Sequence, residues 1–280
     1  SHGDCSGVDK MSFYPLGRDA LLSSLITLGL KKDDGIIVPA YMCNSTIKPL
    51  QAYGFKLIFV DIGGSLDLPV DKIIKIIKKD NAIKALLAVH YFGLMQNMDK
   101  VIGVCQEYGV KVVEDASHGF MSQFLRDKDS AKGDAEIFSM RKSLPIVDGG
   151  ALRMNNGSSV DVGRNSNNQC VPIISDAKYL ILRFLEKVVT WLGVNIYGQF
   201  INNIKTKLRS ETTHEIHDLN VEACQASWQL RKYLGNEEYL RNTQQKVVNN
   251  FNQLNQALRK IGFRLFIESV GGNVVPQACI

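Results

Sequence analysis

Residues 110–118 read VKVVEDASH, a valine-rich run that ends in two acids, a serine and a histidine. Such a run, apolar almost throughout and polar at its tip, is the signature of a strand buried on both faces of a parallel sheet. Working upstream, NMDKVIGVCQEYG (97–109) has helical spacing, and ALLAVHYFG (85–93) is another strand with a polar tip. DKIIKIIKKD (71–80) is an amphipathic helix, while FKLIFVDI (55–62) and GIIVPA (35–40) are further strands. GRDALLSSLITLGL (17–30) opens a helix at a glycine. Strand and helix therefore alternate from Gly17 to about Met154, which predicts an α/β fold: a mostly parallel sheet with helices on both faces. In such sheets the chemistry sits at the carboxyl ends of the strands.

After Met154 the pattern changes. NNGSSVDVGRNSNNQ (155–169) reads as a loop. The segment from Asp176 to Lys207 is amphipathic, with Tyr179, Phe184, Trp191, Tyr197 and Phe200 as an aromatic stripe expected to be buried. A long helical region is expected from Asn220 to about Lys260, broken near Gly235, followed by a strand in GFRLFIES (262–269). The domain reading is a large α/β domain over 11–210, then connecting helices and the start of a small, incomplete α/β domain over 211–280.

The 280 residues are 45% hydrophobic, enough to bury a large core, and the net charge of +5 is spread along the chain. No basic block points to nucleic acid, and no long uncharged apolar stretch points to a membrane span. The six cysteines have neither CxxC nor zinc spacing, so reduced thiols, no metal and a cytoplasmic location are expected. Ser1-His2-Gly3 reads as a cloning scar. Dinucleotide binding would need a GxGxxG turn after the first strand, and the sequence has none there.

The chemistry concentrates in VVEDASHGF (112–120) and GDAEIFSMRKSLPIVDGG (133–150). An acid at the end of a buried strand and a lysine on a later loop are the pair that pyridoxal phosphate (PLP) chemistry uses: the lysine holds the aldehyde, and the carboxylate keeps the pyridine nitrogen protonated. Each residue also has a plainer reading. Lys142 beside Arg141 is equally a surface lysine, Asp115 a cap for the next helix, and His118 a structural histidine.

Together with GRDAL, VPAYMCNST, FVDI and VHYFG in this order, these segments resemble the DegT/DnrJ/StrS family of sugar aminotransferases. That is a branch of the PLP enzymes of fold type I, the aspartate aminotransferase fold. The resemblance runs from about Gly17 to Asn155. It implies Lys142 as the Schiff-base lysine, Asp115 as the pyridinium partner and His118 near the cofactor's phenolic oxygen. It also implies a phosphate site at Gly17, Arg18 and Asp19, with Asp19 either there or turned away as a helix cap. Ser139 and Arg141 are further phosphate candidates. Cys43 stands over the ring or is simply a small buried residue, and Tyr41 and His90 line the substrate side.

The implied activity is transfer of an amino group from an amino acid, by family habit glutamate, to a nucleotide-linked keto-sugar, by a homodimer. Two departures set a second reading beside it. Glu215, Ile216 and His217 stand where relatives carry an Asn-Tyr-Arg run, and relatives continue well beyond Ile280. That reading is a PLP-binding or catalytically impaired remnant acting as a binding protein. A PLP-dependent sugar dehydratase, which lacks the lysine, is disfavoured by Lys142.

Overall fold

The computed structural model describes residues 10–64, 66–124, 133–155, 157, 222–263 and 274–276. In chain order the elements are β1 (Met11–Tyr14), α1 (Gly17–Thr27), β2 (Gly35–Pro39), α2 (Asn44–Tyr53), β3 (Lys56–Val60), α3 (Val70–Lys79), β4 (Ile83–Val89), α4 (Asp99–Glu107), β5 (Lys111–Asp115), α5 (Phe120–Phe124), β6 (Ala135–Ser139) and β7 (Gly150–Met154). Two helices follow, α6 (Trp228–Leu234) and α7 (Glu237–Lys260). The strands form one seven-stranded sheet in the order β1-β7-β6-β5-β4-β2-β3. From β3 to β6 every pairing is parallel; β7 is antiparallel to both β6 and β1.

The alternation of side chains explains the two covered faces. Ile36 and Val38 of β2 pack with Leu21, Leu22 and Leu25 of α1 and with Leu50 of α2. Ile37, between them, points the other way and packs with Ile73 and Ile77 of α3 and Val101 and Cys105 of α4. Period two in the strand thus feeds two separate cores, as expected for a sheet with helices on both sides. In α3 the buried pair Ile73 and Ile77 lies four residues apart, while Lys72, Lys75, Lys78 and Lys79 are exposed.

β1 and β7 form the antiparallel edge, which adds strands to the mostly parallel sheet expected from the sequence. β7 can lie against the start of α1 because of its first residue: a Cβ on Gly150 would fall 2.3 Å from the Leu16 carbonyl oxygen. Gly149, at φ +111°, makes the turn that precedes it.

The long helical region begins later than expected. Residues 222–227 are not helical, and Ser227 caps α6: its Oγ accepts from Leu230 N–H at 3.1 Å. That serine is itself held by Asp148, whose two carboxylate oxygens accept from Ser227 N–H at 3.1 Å and Ser227 Oγ–H at 2.9 Å. The break near Gly235 is present, and Asn236 caps α7 by accepting from Tyr239 N–H at 2.9 Å. The aromatic segment, residues 215–217, the 210/211 domain boundary and most of 262–269 lie outside the described residues.

Cys43 and Cys105 are free thiols. Cys224 is disulfide-bonded, which corrects the expectation of six reduced thiols. Spacing along a chain does not reveal pairs that the fold makes. Among the described residues, no helix is long and apolar enough to cross a membrane.

Candidate active site

The parallel strands end at one edge of the sheet: β2 at Pro39, β4 at Val89, β5 at Asp115 and β6 at Ser139. The segments that follow them enclose a cavity of about 300 Å³. Val89 and Asp115 contribute from the strand tips, and Ser117 and His118 from the turn after β5. Lys142 comes from the 3-10 turn after β6, and Tyr41, Met42, Cys43 and Thr46 from the start of α2. Tyr91 and Phe92 close the remaining side. The volume lies at the lower end of the range for small-molecule sites, and the lining combines aromatic walls with a few convergent polar groups.

Lys142 and Asp115, which the sequence linked only through an expected chemistry, thus line the same space. Lys142 reaches solvent through the mouth of the cavity, yet the surrounding protein desolvates its amine and lowers its pKa, helped by the charge of Arg141. The negative charges of Asp115 and Cys43 oppose that shift. Asp115 is buried, and its Oδ1 accepts from Ser117 N–H at 2.9 Å. A carboxylate fixed by the next turn's backbone keeps its orientation without a side-chain partner.

His118 also lines the cavity. Burial, and then the positive charge of Lys142, lower its pKa below the ordinary histidine value, against the pull of Asp115. The imidazole is therefore neutral at neutral pH. Cys43 is exposed at the rim, with Sγ 2.8 Å from Ser45 Oγ. That hydrogen bond, outweighing the opposing effect of burial, lowers the thiol pKa.

Tyr41 is 58% exposed at the mouth. From there three rings lead inward: Tyr41 to Tyr91 at 5.5 Å between centroids, Tyr91 to Phe92 at 6.4 Å, and Phe92 to His118 at 5.8 Å. The Tyr91 hydroxyl donates to the Tyr41 carbonyl at 2.7 Å and so ties the mouth to the wall.

The expected substrate-side role of His90 is corrected. Its ring is fully buried, with Nε2 2.7 Å from Glu114 Oε2 and Nδ1 accepting from Gln96 N–H at 3.1 Å. With both nitrogens engaged and the ring turned into the interior, His90 does not line the cavity. It anchors the turn that carries Tyr91 and Phe92.

The phosphate candidates form a second group, beside the cavity rather than among the residues lining it. Gly17 opens α1 so close to the tip of β6 that a Cβ there would lie 3.1 Å from Ser139 Cβ and 3.5 Å from Ser117 Oγ. Gly17, Ser139 and the cavity-lining Ser117 are therefore adjacent. Asp19 takes the capping alternative: its Oδ2 accepts from Leu16 N–H at 3.1 Å, and its Oδ1 lies 4.0 Å from Arg18 Nε. This turns its charge back to the helix start, where it is favourable. Arg141 is exposed and does not line the cavity. Ser117, Met42, Thr46, Tyr91 and Phe92 were not singled out from the sequence. Ser117 was findable, since it lies between the two chosen residues Asp115 and His118.

With this geometry in hand, the comparison with family models is decisive. Residues 16–180 match the model of the DegT/DnrJ/EryC1/StrS aminotransferase family. The chain belongs to that family. Among curated relatives of this aminotransferase family member, GDP-perosamine synthase of Vibrio cholerae is 27% identical over 158 residues, 55% of this chain and 42% of that protein. UDP-4-amino-4,6-dideoxy-N-acetyl-beta-L-altrosamine transaminase of Campylobacter jejuni is 28% identical over 153 residues, 54% of this chain and 40% of that protein. The matches thus span about two fifths of the length of these relatives. The crystal structure of NtdA from Bacillus subtilis, with bound cofactor PMP, superposes with a TM-score of 0.56 at 20% identity, covering 95% of this chain and 53% of that one. That likeness shows the fold alone, the mostly parallel sheet of the PLP-dependent fold type I enzymes.

Proposed function

We propose that this chain binds PLP in the cavity at the sheet edge and forms the catalytic part of an aminotransferase. The donor is an amino acid, by family habit glutamate, and the acceptor a nucleotide-linked keto-sugar. The observation that carries the reading is that Lys142, Asp115 and His118 line one cavity. The donor set suits the cofactor, since it joins a desolvated amine, a buried carboxylate and a neutral imidazole beside a helix start where an anion is favoured. Bound there, PLP would supply an aldehyde that takes up amino nitrogen and a ring that withdraws electrons.

The chain's own groups divide the remaining work. Lys142, its amine made easier to deprotonate by desolvation, serves as nucleophile and then as proton carrier at Nζ. Asp115 commits Oδ1 to Ser117, and its carboxylate would hold the pyridinium proton of the bound cofactor. Gly17, Ser117 and Ser139 form the side suited to phosphate. The aromatic wall of Tyr91 and Phe92 excludes water from one flank. Assembly as a homodimer belongs to this reading, and light scattering at micromolar concentration should give twice the chain mass.

The test is reductive capture. PLP added to the purified protein, followed by borohydride, should leave one cofactor mass attached to the peptide containing Lys142. Lys142→Ala should abolish the attachment. Wild type without attachment sinks the proposal. Attachment without a spectral response to glutamate would instead support the binding remnant.

A further inference from the structure

Phe92 has φ 55° and ψ 22°, in the left-handed region that a large side chain seldom occupies. Two contacts tie this unusual residue to His118. Its backbone N–H points at Nδ1 with an N to N separation of 3.4 Å, and its ring stacks on the imidazole at 5.8 Å and 25°. A backbone N–H can only donate. Nδ1 must then be the bare nitrogen, and the proton of the neutral ring resides on Nε2.

We propose that Phe92 is a positioning residue: its left-handed backbone holds His118 as the Nε2–H tautomer, so that the imidazole offers a hydrogen-bond donor to the cavity it lines. The consequence for catalysis rests on the function proposed above, but the tautomer does not.

The turn has its own clamp. Gly93 follows Phe92 at φ +86°, and a Cβ there would lie 2.3 Å from the Val275 carbonyl oxygen. The buried Ser122 joins the two segments of this contact. Its Oγ lies 3.2 Å from the Gly93 carbonyl oxygen and accepts from Val275 N–H at 2.8 Å. On the opposite side, His90 ties the start of the same turn to β5 through Glu114. A strained conformation persists where its surroundings determine it from several directions, and strain of this kind concentrates at working sites. The charged groups that act on His118 are Asp115 at the end of β5 and Lys142 after β6, and they pull its protonation in opposite directions. Neither selects between the two neutral tautomers as a donor on Nδ1 does.

Two-bond proton–nitrogen correlation spectra of the full chain, labelled with 15N-histidine and free of cofactor, report the tautomer directly. His118→Gln identifies the resonances. Wild type should show Nε2–H as the dominant form. Phe92→Pro, which deletes the backbone N–H, holds φ at about −65° and removes the ring, should raise the Nδ1–H share and the proton affinity of His118, each about three- to tenfold, the factor a single net hydrogen bond is worth. Phe92→Asn keeps the N–H and enters the left-handed region readily, so it should keep the wild-type tautomer. A dominant Nδ1–H form in wild type overturns the proposal whatever the variants do. So does an unchanged ratio in Phe92→Pro, and loss of the tautomer in Phe92→Asn would shift the hold from backbone to ring and overturn the backbone assignment. Because no cofactor is present, failure to bind PLP leaves each of these outcomes readable.

Discussion

The tips of β4 and β5, which line the cavity, and the start of α1, which lies beside it, are built on different terms. At the tips, the side chains that matter are aimed by strand register: Asp115 sits opposite Val89 in the pairing of β5 with β4, and both line the space. At the start of α1, what matters is how little side chain there is. Gly17 and Gly150 let backbones approach to distances that a Cβ would forbid, and the nearby charge of Asp19 is spent on the helix itself. One side therefore presents functional groups, and the other presents backbone.

This contrast can be tested by substitution, and the largest effect is expected at the strand tips. Asp115→Asn should slow the half-reaction with glutamate by about 10²–10³, the scale for losing one placed electrostatic partner. Ser139→Ala should slow it by less than about tenfold, as measured by single-turnover absorbance. Equal losses in the two variants would erase the distinction. On the backbone side the damage should be to stability: Gly150→Ala should cost about 1–3 kcal/mol through overpacking, seen as a lower midpoint in urea. An unchanged midpoint would mean that Leu16 yields easily.

The pH dependence of capture separates the two sides further. Burial lowers the Lys142 pKa below 10.5, so the free amine is present at lower pH than for an ordinary lysine. The rate of PLP capture should therefore reach its plateau below that value. Asp115 raises the Lys142 pKa, so Asp115→Asn should move the plateau lower still. A midpoint at or above 10.5, in stopped-flow traces corrected with Lys142→Ala, would contradict the desolvation. The smallest effect is expected from Asp19→Ala, about 1 kcal/mol for a lost cap, with glutamate turnover nearly unchanged. A large loss of turnover there would return Asp19 to the phosphate.

The sequence made the sheet and the strand-tip acid legible for a simple reason. Runs such as GIIVPA and VKVVED announce buried strands, and a polar residue at the end of one has few places to go. Lys142 became legible only through the order of several segments, since a lysine beside an arginine is ordinary by itself. His90 was misjudged because VHYFG shows a histidine at a strand end but not its buried acid, Glu114, on the neighbouring strand. Phe92 gave no signal at all: a left-handed backbone at a residue other than glycine is imposed by tertiary contacts. Ser227 likewise delayed the helix start, because its partner Asp148 lies 79 positions away.

That last contact has a mechanical consequence. Asp148 belongs to the loop that carries Lys142, and it grips both the backbone and the side chain of the residue on which α6 begins. A load on α6 therefore reaches the loop that carries Lys142 through this one carboxylate.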